Sequence, residues 1–239
     1  MNPAPLRFRR LDALAWLWTA LVLVGLIGFY HARNFDDPYI TYRYAANLAH
    51  GAGFVYNEGE RVLSTTTPLY ALVLALVAKA GVDIPLAGNV LGCISLALGG
   101  LAFWYLGKVW RTPLAGGVGL LLLPTSHLLM STLGGEMPLV IALVLFGFLA
   151  CAHQRIVWAA FLLALATLTR ADGVLAAGSA GVSLLLTALT SPAPWGRLWR
   201  TAGAYGVLYA LFIAPWFLFS WGYFGSPLPG TLAAKQYQG

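Results

Sequence analysis

Long apolar runs separated by short polar loops dominate this chain and predict its architecture. Seven of them are interpreted as membrane-spanning helices, at about residues 13–30, 85–107, 113–132, 138–152, 156–169, 174–189 and 201–221. A helix needs about 20 residues to cross a bilayer, so the fourth, fifth and sixth runs are short. We expect these three to be tilted, locally unwound or close to a cavity. Basic residues before the first run are typical of a signal peptide, but its length and the lack of a good cleavage site favour an uncleaved helix.

A further apolar stretch, residues 68–80, decides the topology. Its roughly ten consecutive apolar residues are too few for a confident span and suit a helix that lies at the interface or re-enters. If it does not cross, seven of the eight acidic residues lie on one side, and only Asp12 does not. Eight of the 14 basic residues then lie on the other side, namely Arg7, Arg9, Arg10, Lys108, Arg111, Arg155, Arg197 and Arg200. The positive-inside rule therefore predicts seven spans and a cytoplasmic N-terminus.

The largest external loop, residues 31–67, predicts a first interfacial helix. Asp37-Pro38 is typical of a helix start, with the acid as cap and the proline in the first turn. Ile40, Tyr44 and Leu48 then recur at helical spacing, and glycines 51 and 53 end the pattern. The serine and threonines of residues 64–67 are expected to cap the second interfacial helix, residues 68–80.

Composition supports a bilayer as the solvent. Hydrophobic residues make up 59% of the 239 positions and charged residues only 9%, against roughly 25% charged in soluble domains. The net charge of +6 could suggest nucleic acid, but the basic residues lie in small groups between apolar runs, as topology requires. Cys93 and Cys151 fall in apolar runs and the four histidines lack ligand spacing, so neither a disulfide nor a zinc site is expected.

Four polar segments share the predicted external face. The first loop supplies Asp36 and Asp37, and the segment GGEMP supplies Glu136 between two spans. The segment TRADG supplies Arg170 and Asp172, and the tail supplies Lys235. A charge at the bilayer centre costs about 2.5–3.5 kcal/mol, so short loops keep these groups at helix ends where an ionic substrate can meet them.

The first loop carries a specific motif, in the form DD-x-x-I-x-x-R-Y-A-x-N-L-x-x-G-x-G, then N-x-G-E-R-V, then T-P-L. Its residues here are Asp36, Asp37, Ile40, Arg43, Tyr44, Ala45, Asn47, Leu48, Gly51, Gly53, Asn57, Gly59, Glu60, Arg61, Val62, Thr67, Pro68 and Leu69. The loop resembles that of the GT-C superfamily of membrane glycosyltransferases, above all enzymes that use polyprenyl-phosphate sugars. These include mycobacterial terminal arabinofuranosyltransferases and the protein mannosyltransferase-like group. The later segments follow in the family's order.

The resemblance implies a GT-C-like bundle over residues 1–239, the shared N-terminal module without a C-terminal soluble domain. It implies an inverting transferase that moves a hexosyl or pentosyl group from a polyprenyl-phosphate donor to a glycan, lipid or protein acceptor. A bacterial inner membrane with an extracytoplasmic active site is expected. Roles follow for the site residues: Asp36, Asp37 and Glu136 are catalytic, and Arg43, Tyr44, Arg170, Asp172 and Lys235 bind substrate.

Asp36 is preferred as general base because Asp37 is expected to be partly occupied as a helix cap. Asp37 and Glu136 are also candidate ligands for a divalent cation, since carboxylate oxygens suit Mg²⁺, Mn²⁺ or Ca²⁺. Each residue has a simpler role open to it. Asp37 and Glu136 could only cap helices, Arg170 and Asp172 could only pair with each other, and Arg43 could bind lipid headgroups.

Two readings without an enzyme also stay open. A transporter would place charges within spans and often has internal repeats, and neither pattern is visible here. An inactive or partner-dependent module that binds a lipid carrier or serves in assembly is the stronger alternative. A catalyst, unlike a scaffold, needs its acids to face one cavity with a cation nearby.

Overall fold

The structure is a computed structural model that describes residues 6–32, 35–191 and 194–227. All regular structure in these ranges is helical, which confirms the all-α class. The helices are α1 (Leu6–Tyr30), α2 (Pro38–Ala49), α3 (Pro68–Lys79), α4 (Ile84–Val109), α5 (Pro113–Thr125), α6 (His127–Met130), α7 (Met137–Ala152), α8 (Ile156–Thr169), α9 (Gly173–Leu189), α10 (Pro194–Leu198) and α11 (Ala204–Phe224), with a π-helical turn (Trp199–Gly203) between the last two.

Four stretches of the described chain are long and apolar enough to cross a membrane. They are Arg10–Tyr30, Ile84–Val109, Pro113–Met130 and Trp195–Phe224. Helices α7, α8 and α9 are apolar but have only 16, 14 and 17 residues. At 1.5 Å per residue they are roughly 21–26 Å long, shorter than the hydrocarbon core of about 30 Å. The chain therefore has the helices of an integral membrane protein, with a group of short helices among them.

Two contacts fix the relative direction of α1 and α4. At one end, the side-chain amide of Asn89 donates to the carbonyl of His31 at 3.1 Å. At the other, Lys108 Nζ lies 2.7 Å from the carboxylate of Asp12. The helices are therefore antiparallel, and α4 begins at the end where α1 finishes. We call this the loop end, because α2 and α3 lie between these two helices in the chain, and we call the other the far end.

The loop-end position of α3 agrees with the interfacial role predicted for residues 68–80. A single crossing between the end of α1 and the start of α4 would put these two helix termini at opposite ends. Instead, α3 packs along α2, with Leu74 and Ala75 buried against Tyr42 and Ala45. Helix α3 therefore adds no crossing to the bundle.

Helix α4 is the centre of the bundle and packs against α1, α5 and α7. Glycines allow the closest of these approaches. A Cβ at Gly107 would lie 2.5 Å from the Cα of Gly116, so the backbones of α4 and α5 meet without side chains between them. Small residues at helix contacts are the usual means of close packing in membranes.

Two predicted spans differ from the observed helices in detail. The run at 113–132 is broken after Thr125, where Ser126 adopts an extended conformation (φ −66°, ψ 118°) directly after Pro124 and Thr125. The last span begins earlier than residue 201, because α10 and the π-helical turn lead into α11. Both boundaries lie where the regular α-helical backbone is interrupted.

The far end is held by an ion pair that involves the one acid predicted there. Asp12 accepts from Lys108 Nζ at 2.7 Å and from Trp104 Nε1 at 2.9 Å. This joins the start of α1 to the end of α4. Since both charged side chains are only about a quarter exposed, the pair also neutralises charge beside the apolar bundle.

We predict that the two ends are reached from opposite sides of the membrane. Val82 and Thr112 are exposed residues in the turns before α4 and before α5. In a background with Cys93→Ala and Cys151→Ala, a membrane-impermeant maleimide should label Val82→Cys from one side and Thr112→Cys only from the other. Labelling of both positions from the same side would contradict a crossing of the membrane by α4.

Candidate functional site

One backbone carbonyl ties the loop-end helices together. The Gly134 oxygen accepts from the hydroxyl of Tyr42 on α2 at 2.6 Å and from that of Tyr70 on α3 at 2.7 Å. Gly134 has φ +96°, and a Cβ there would lie 3.1 Å from the Tyr42 hydroxyl. Burial raises the pKa of Tyr42, which keeps its phenol protonated as a donor. These bonds fix α2 and α3 against the turn that precedes α7.

The first-loop aspartates lie beside this turn. A side chain at Gly135 would come within 3.5 Å of the Phe35 ring and 3.8 Å of Pro38, so residues 35–38 pack on the turn. Asp36 and Asp37 are both exposed. Asp37 is the N-cap residue of α2 and Pro38 follows it, as predicted, but the Asp37 side chain makes no capping hydrogen bond. The reason for preferring Asp36 as base is therefore removed, because both carboxylates face solvent.

Glu136, Arg170 and Asp172 form one cluster at the same end. Arg170 Nη1 donates to Glu136 Oε1 at 2.9 Å, and Arg170 Nε donates to Asp172 Oδ2 at 2.9 Å. Arg170 comes directly after α8, and the two acids come directly before α7 and α9. The side chain of Glu136 is 19% exposed and that of Arg170 is 39% exposed. Three short helices thus bring their charged termini together.

The contacts of this cluster go beyond the two simpler roles left open by the sequence, namely helix capping by Glu136 and a single pair between Arg170 and Asp172. Glu136 makes no side-chain cap to α7, and Arg170 bridges both acids instead of pairing with Asp172 alone. The hydrogen bond to Asp172 is the largest cause that raises the pKa of Arg170 above its ordinary value. The guanidinium is therefore charged and held in one orientation.

The cluster carries a formal net charge of −1, from two carboxylates and one guanidinium. The hydrogen bonds to Glu136 and Asp172 use two of the five N–H donors of Arg170. The remaining donors can reach a bound anion, but the two carboxylates repel it. A phosphate group at this place therefore needs a further cation.

An apolar cavity of about 340 Å³ lies beside the cluster. Leu168 and Ala171, on either side of Arg170, form part of its wall. Thr65 and Thr66 of the first loop contribute from one side, and α11 contributes Ile213, Trp216 and Phe217 from another. The cavity is therefore lined mainly by apolar side chains and lies beside the turn that carries Arg170.

Arg43 and Tyr44, both expected to bind substrate, have different environments. Arg43 is exposed, and its Nε donates to the Tyr56 carbonyl at 3.4 Å. Tyr44 is fully buried, and its hydroxyl donates to Val62 O at 2.6 Å and lies 2.7 Å from Ser64 Oγ. The folded first loop covers the ring and hydroxyl of Tyr44, and its contact with substrate stays a prediction.

Two further expectations concern Lys235 and a metal ion. Lys235 lies outside the described residues, so its position relative to Arg170 stays a prediction. Within the described part of the chain, no three His, Cys, Asp or Glu side chains come together as a metal site. Glu136 Oε1 accepts from Arg170, and a role for Asp37 and Glu136 in binding Mg²⁺, Mn²⁺ or Ca²⁺ stays a prediction.

Sequence reasoning missed the importance of Tyr42 and Tyr70. Tyr42 is 7% exposed and lies on the buried face of α2, whereas Ile40, which marks the helical spacing in the sequence, is 50% exposed. The signal was the spacing of Pro38, Thr41, Tyr42 and Ala45, which lie on one face of α2. The predicted caps of α3 are also wrong, since the Thr67 hydroxyl bonds to those of Thr41 and Thr65 instead.

Comparisons with protein-family models, curated proteins and solved structures found no match to this chain. The fold and the loop-end cluster therefore carry the functional argument.

Removing both tyrosine donors should destabilise the fold more than the sum of the single changes. Tyr42→Phe or Tyr70→Phe alone leaves the Gly134 carbonyl one partner and should cost about 1 kcal/mol each. The double variant leaves a buried carbonyl unpaired, which adds about 1–3 kcal/mol. Thermal unfolding in detergent would measure this, with Tyr39→Phe, an exposed neighbour, as the control. Additive losses in the double variant would contradict a shared acceptor.

Proposed function

We propose that this protein is a GT-C-like glycosyltransferase that moves a sugar from a polyprenyl-phosphate donor to an acceptor. The proposal includes seven membrane spans, with α7, α8 and α9 as short ones, and a cytoplasmic N-terminus. The loop end then faces the outside of a bacterial inner membrane. The acceptor is a glycan, lipid or protein hydroxyl.

The observation that carries the proposal is the convergence of acids, a cation and an apolar cavity at one end of the bundle. Residues 35–38 pack on the turn that leads directly into Glu136, and Glu136 binds Arg170. The walls of the 340 Å³ cavity continue from both sides of Arg170. An amphiphilic donor with a hydrocarbon chain and an anionic head matches this arrangement. A scaffold has no need of exposed carboxylates at the same end of the bundle as such a cavity.

The reaction assigns one role to each group. The acceptor oxygen attacks the anomeric carbon, the new C–O bond forms, and the bond to the phosphate oxygen breaks. The polyprenyl phosphate leaves with the electron pair, and the acceptor proton passes to Asp36 or Asp37 as general base. Such a base contributes typically 10²–10⁴-fold to the rate. Attack opposite the leaving group inverts the anomeric centre.

Glu136 and Asp172 act as positioning residues for Arg170 in this scheme. They hold the guanidinium at the edge of the cavity, where its remaining donors reach a phosphate oxygen. Because the three side chains sum to −1, a second cation must share the phosphate. Lys235 is the candidate from the family resemblance, and Arg43 is the exposed basic residue of α2.

We expect the carboxylates of Asp36 and Asp37 to be required for turnover but not for folding. Asp36→Asn and Asp37→Asn keep the size of each side chain and remove its basicity, so at least one should lower the transfer rate by about 10²-fold or more. The measurement is transfer from a panel of radiolabelled polyprenyl-phosphate sugars by purified protein in lipid. Glu58→Gln, an exposed acid in the same loop, is the matched control.

The outcomes separate catalysis from an inactive module. Loss of transfer with unchanged thermal stability supports a base at residues 36–37. Equal activity in wild type and both variants contradicts the assignment of the base. Wild-type protein that binds no donor in the panel contradicts the proposed function and favours an assembly role.

We predict that narrowing the cavity weakens binding of long-chain donors selectively. Ile213→Trp adds bulk to the cavity wall, whereas Leu211→Trp, on the same helix, lies on an exposed face away from it. Loss of about two buried methylene contacts corresponds to roughly a tenfold higher KM for a long-chain donor. A donor with a very short chain should show no change. An equal rise in KM for both chain lengths, or in both variants, would contradict a chain-binding cavity.

A further inference from the structure

A second groove lies at the far end, between α7 and α8. Its volume is about 370 Å³. Phe146, Leu149 and Leu162 form its apolar walls, with Trp158 on the α8 side, while His153 and Arg155 are at its mouth. The groove is unrelated to the cluster at Glu136, because α7 runs from Glu136 at the loop end to His153 at the far end.

The mouth of this groove is suited to an anion. Arg155 is exposed, and among the described residues no acidic side chain pairs with it. It is also the N-cap residue of α8, and α8 starts without a side-chain cap. The N–H groups of the first helical turn and the positive end of the helix dipole therefore lie next to Arg155 at the mouth of the groove.

Charge at the far end favours an anionic partner. Seven of the eight acids lie in the loops and turns of the loop end. The eighth, Asp12, is paired with Lys108. The basic residues Arg111, Arg155, Arg197 and Arg200 lie in turns or helix starts of this end and are exposed. No described carboxylate therefore competes with a ligand for Arg155.

The walls of the groove decide which kind of anion fits. Helices α7 and α8 are short, so their ends lie at or below the headgroup level of a bilayer of ordinary thickness. Apolar side chains then meet lipid chains, and Arg155 meets phosphates. A soluble phosphate would contact only the basic mouth of the groove. A phospholipid contacts the mouth with its phosphate and the apolar walls with an acyl chain. Basic grooves between membrane helices commonly hold anionic headgroups.

We propose that the groove between α7 and α8 binds an anionic phospholipid of the leaflet at the far end. Its phosphodiester contacts Arg155, His153 and the start of α8. One acyl chain lies along Phe146, Leu149 and Leu162, next to Trp158. The site stands apart from the proposed transferase activity and does not depend on it.

The test is a lipid titration of the full chain, read by native mass spectrometry as protein–lipid adducts. Phosphatidylglycerol should bind several-fold more tightly than phosphatidylcholine with the same chains. Arg155→Gln should weaken phosphatidylglycerol binding about fivefold, the effect of one basic side chain at an anionic surface. Arg197→Gln, an exposed arginine at the same end, is the matched control and should change it little.

A second pair of variants separates the groove from general surface charge. Leu149→Trp fills the groove and keeps every charge, and it should weaken binding of phosphatidylglycerol as much as Arg155→Gln. Leu186→Trp, on an exposed face of α9, should not. Equal losses in Arg155→Gln and Arg197→Gln, or no loss in Leu149→Trp, would overturn the proposal. Competition by soluble glycerol phosphate at equal affinity would overturn it too, by indicating a site for free phosphate.

Discussion

The carbonyl oxygen of Gly134 holds the loop end together, because two helices that do not cross the bundle both donate to it. Tyr42 and Tyr70 come from α2 and α3, and Gly134 lies two residues before Glu136. A buried carbonyl must be paired, so this acceptor fixes both helices against the start of α7. Without it, α2 could rest on the membrane surface in any orientation that its apolar residues allow. The position of the first-loop aspartates near the turn that precedes Glu136 follows from this contact.

A second constraint is the exclusion of charge from the bilayer, and it accounts for both ends of the molecule. Charged residues are costly within the bilayer, so they lie in the turns between the apolar helices. Antiparallel packing of these helices brings the turns at each end close together. At the loop end, the termini of α7, α8 and α9 bring two carboxylates and one guanidinium into contact. At the far end the turns are basic, and Asp12 is used by Lys108. The same exclusion of charge thus produces an acidic cluster that contains one arginine at the loop end and a basic groove at the far end.

The helices were predictable and the contacts between them were not. The predicted segment 156–169 coincides with α8, and residues 68–80 become a helix that does not cross. Hydropathy finds such segments because lipid leaves no alternative to a helix. The pattern could not tell which residues of α2 pack inside, because Ile40 and Tyr42 both have large apolar side chains, yet Ile40 is exposed and Tyr42 is buried. The bond from Arg170 to Glu136 joins two different loops, and periodicity carries no information about such pairs.

The net charge of the Glu136–Arg170–Asp172 cluster constrains how the proposed reaction can be arranged. Its negative charge repels a phosphate group, so the phosphate and the carboxylate that serves as base must lie apart. In an inverting displacement these two groups stand on opposite sides of the anomeric carbon. The acids of residues 36–37 and 136 therefore define the acceptor side, and the phosphate belongs on the cavity side of Arg170. The hydrocarbon chain then continues along Ala171 and α11, away from the carboxylates, which is where the apolar walls begin.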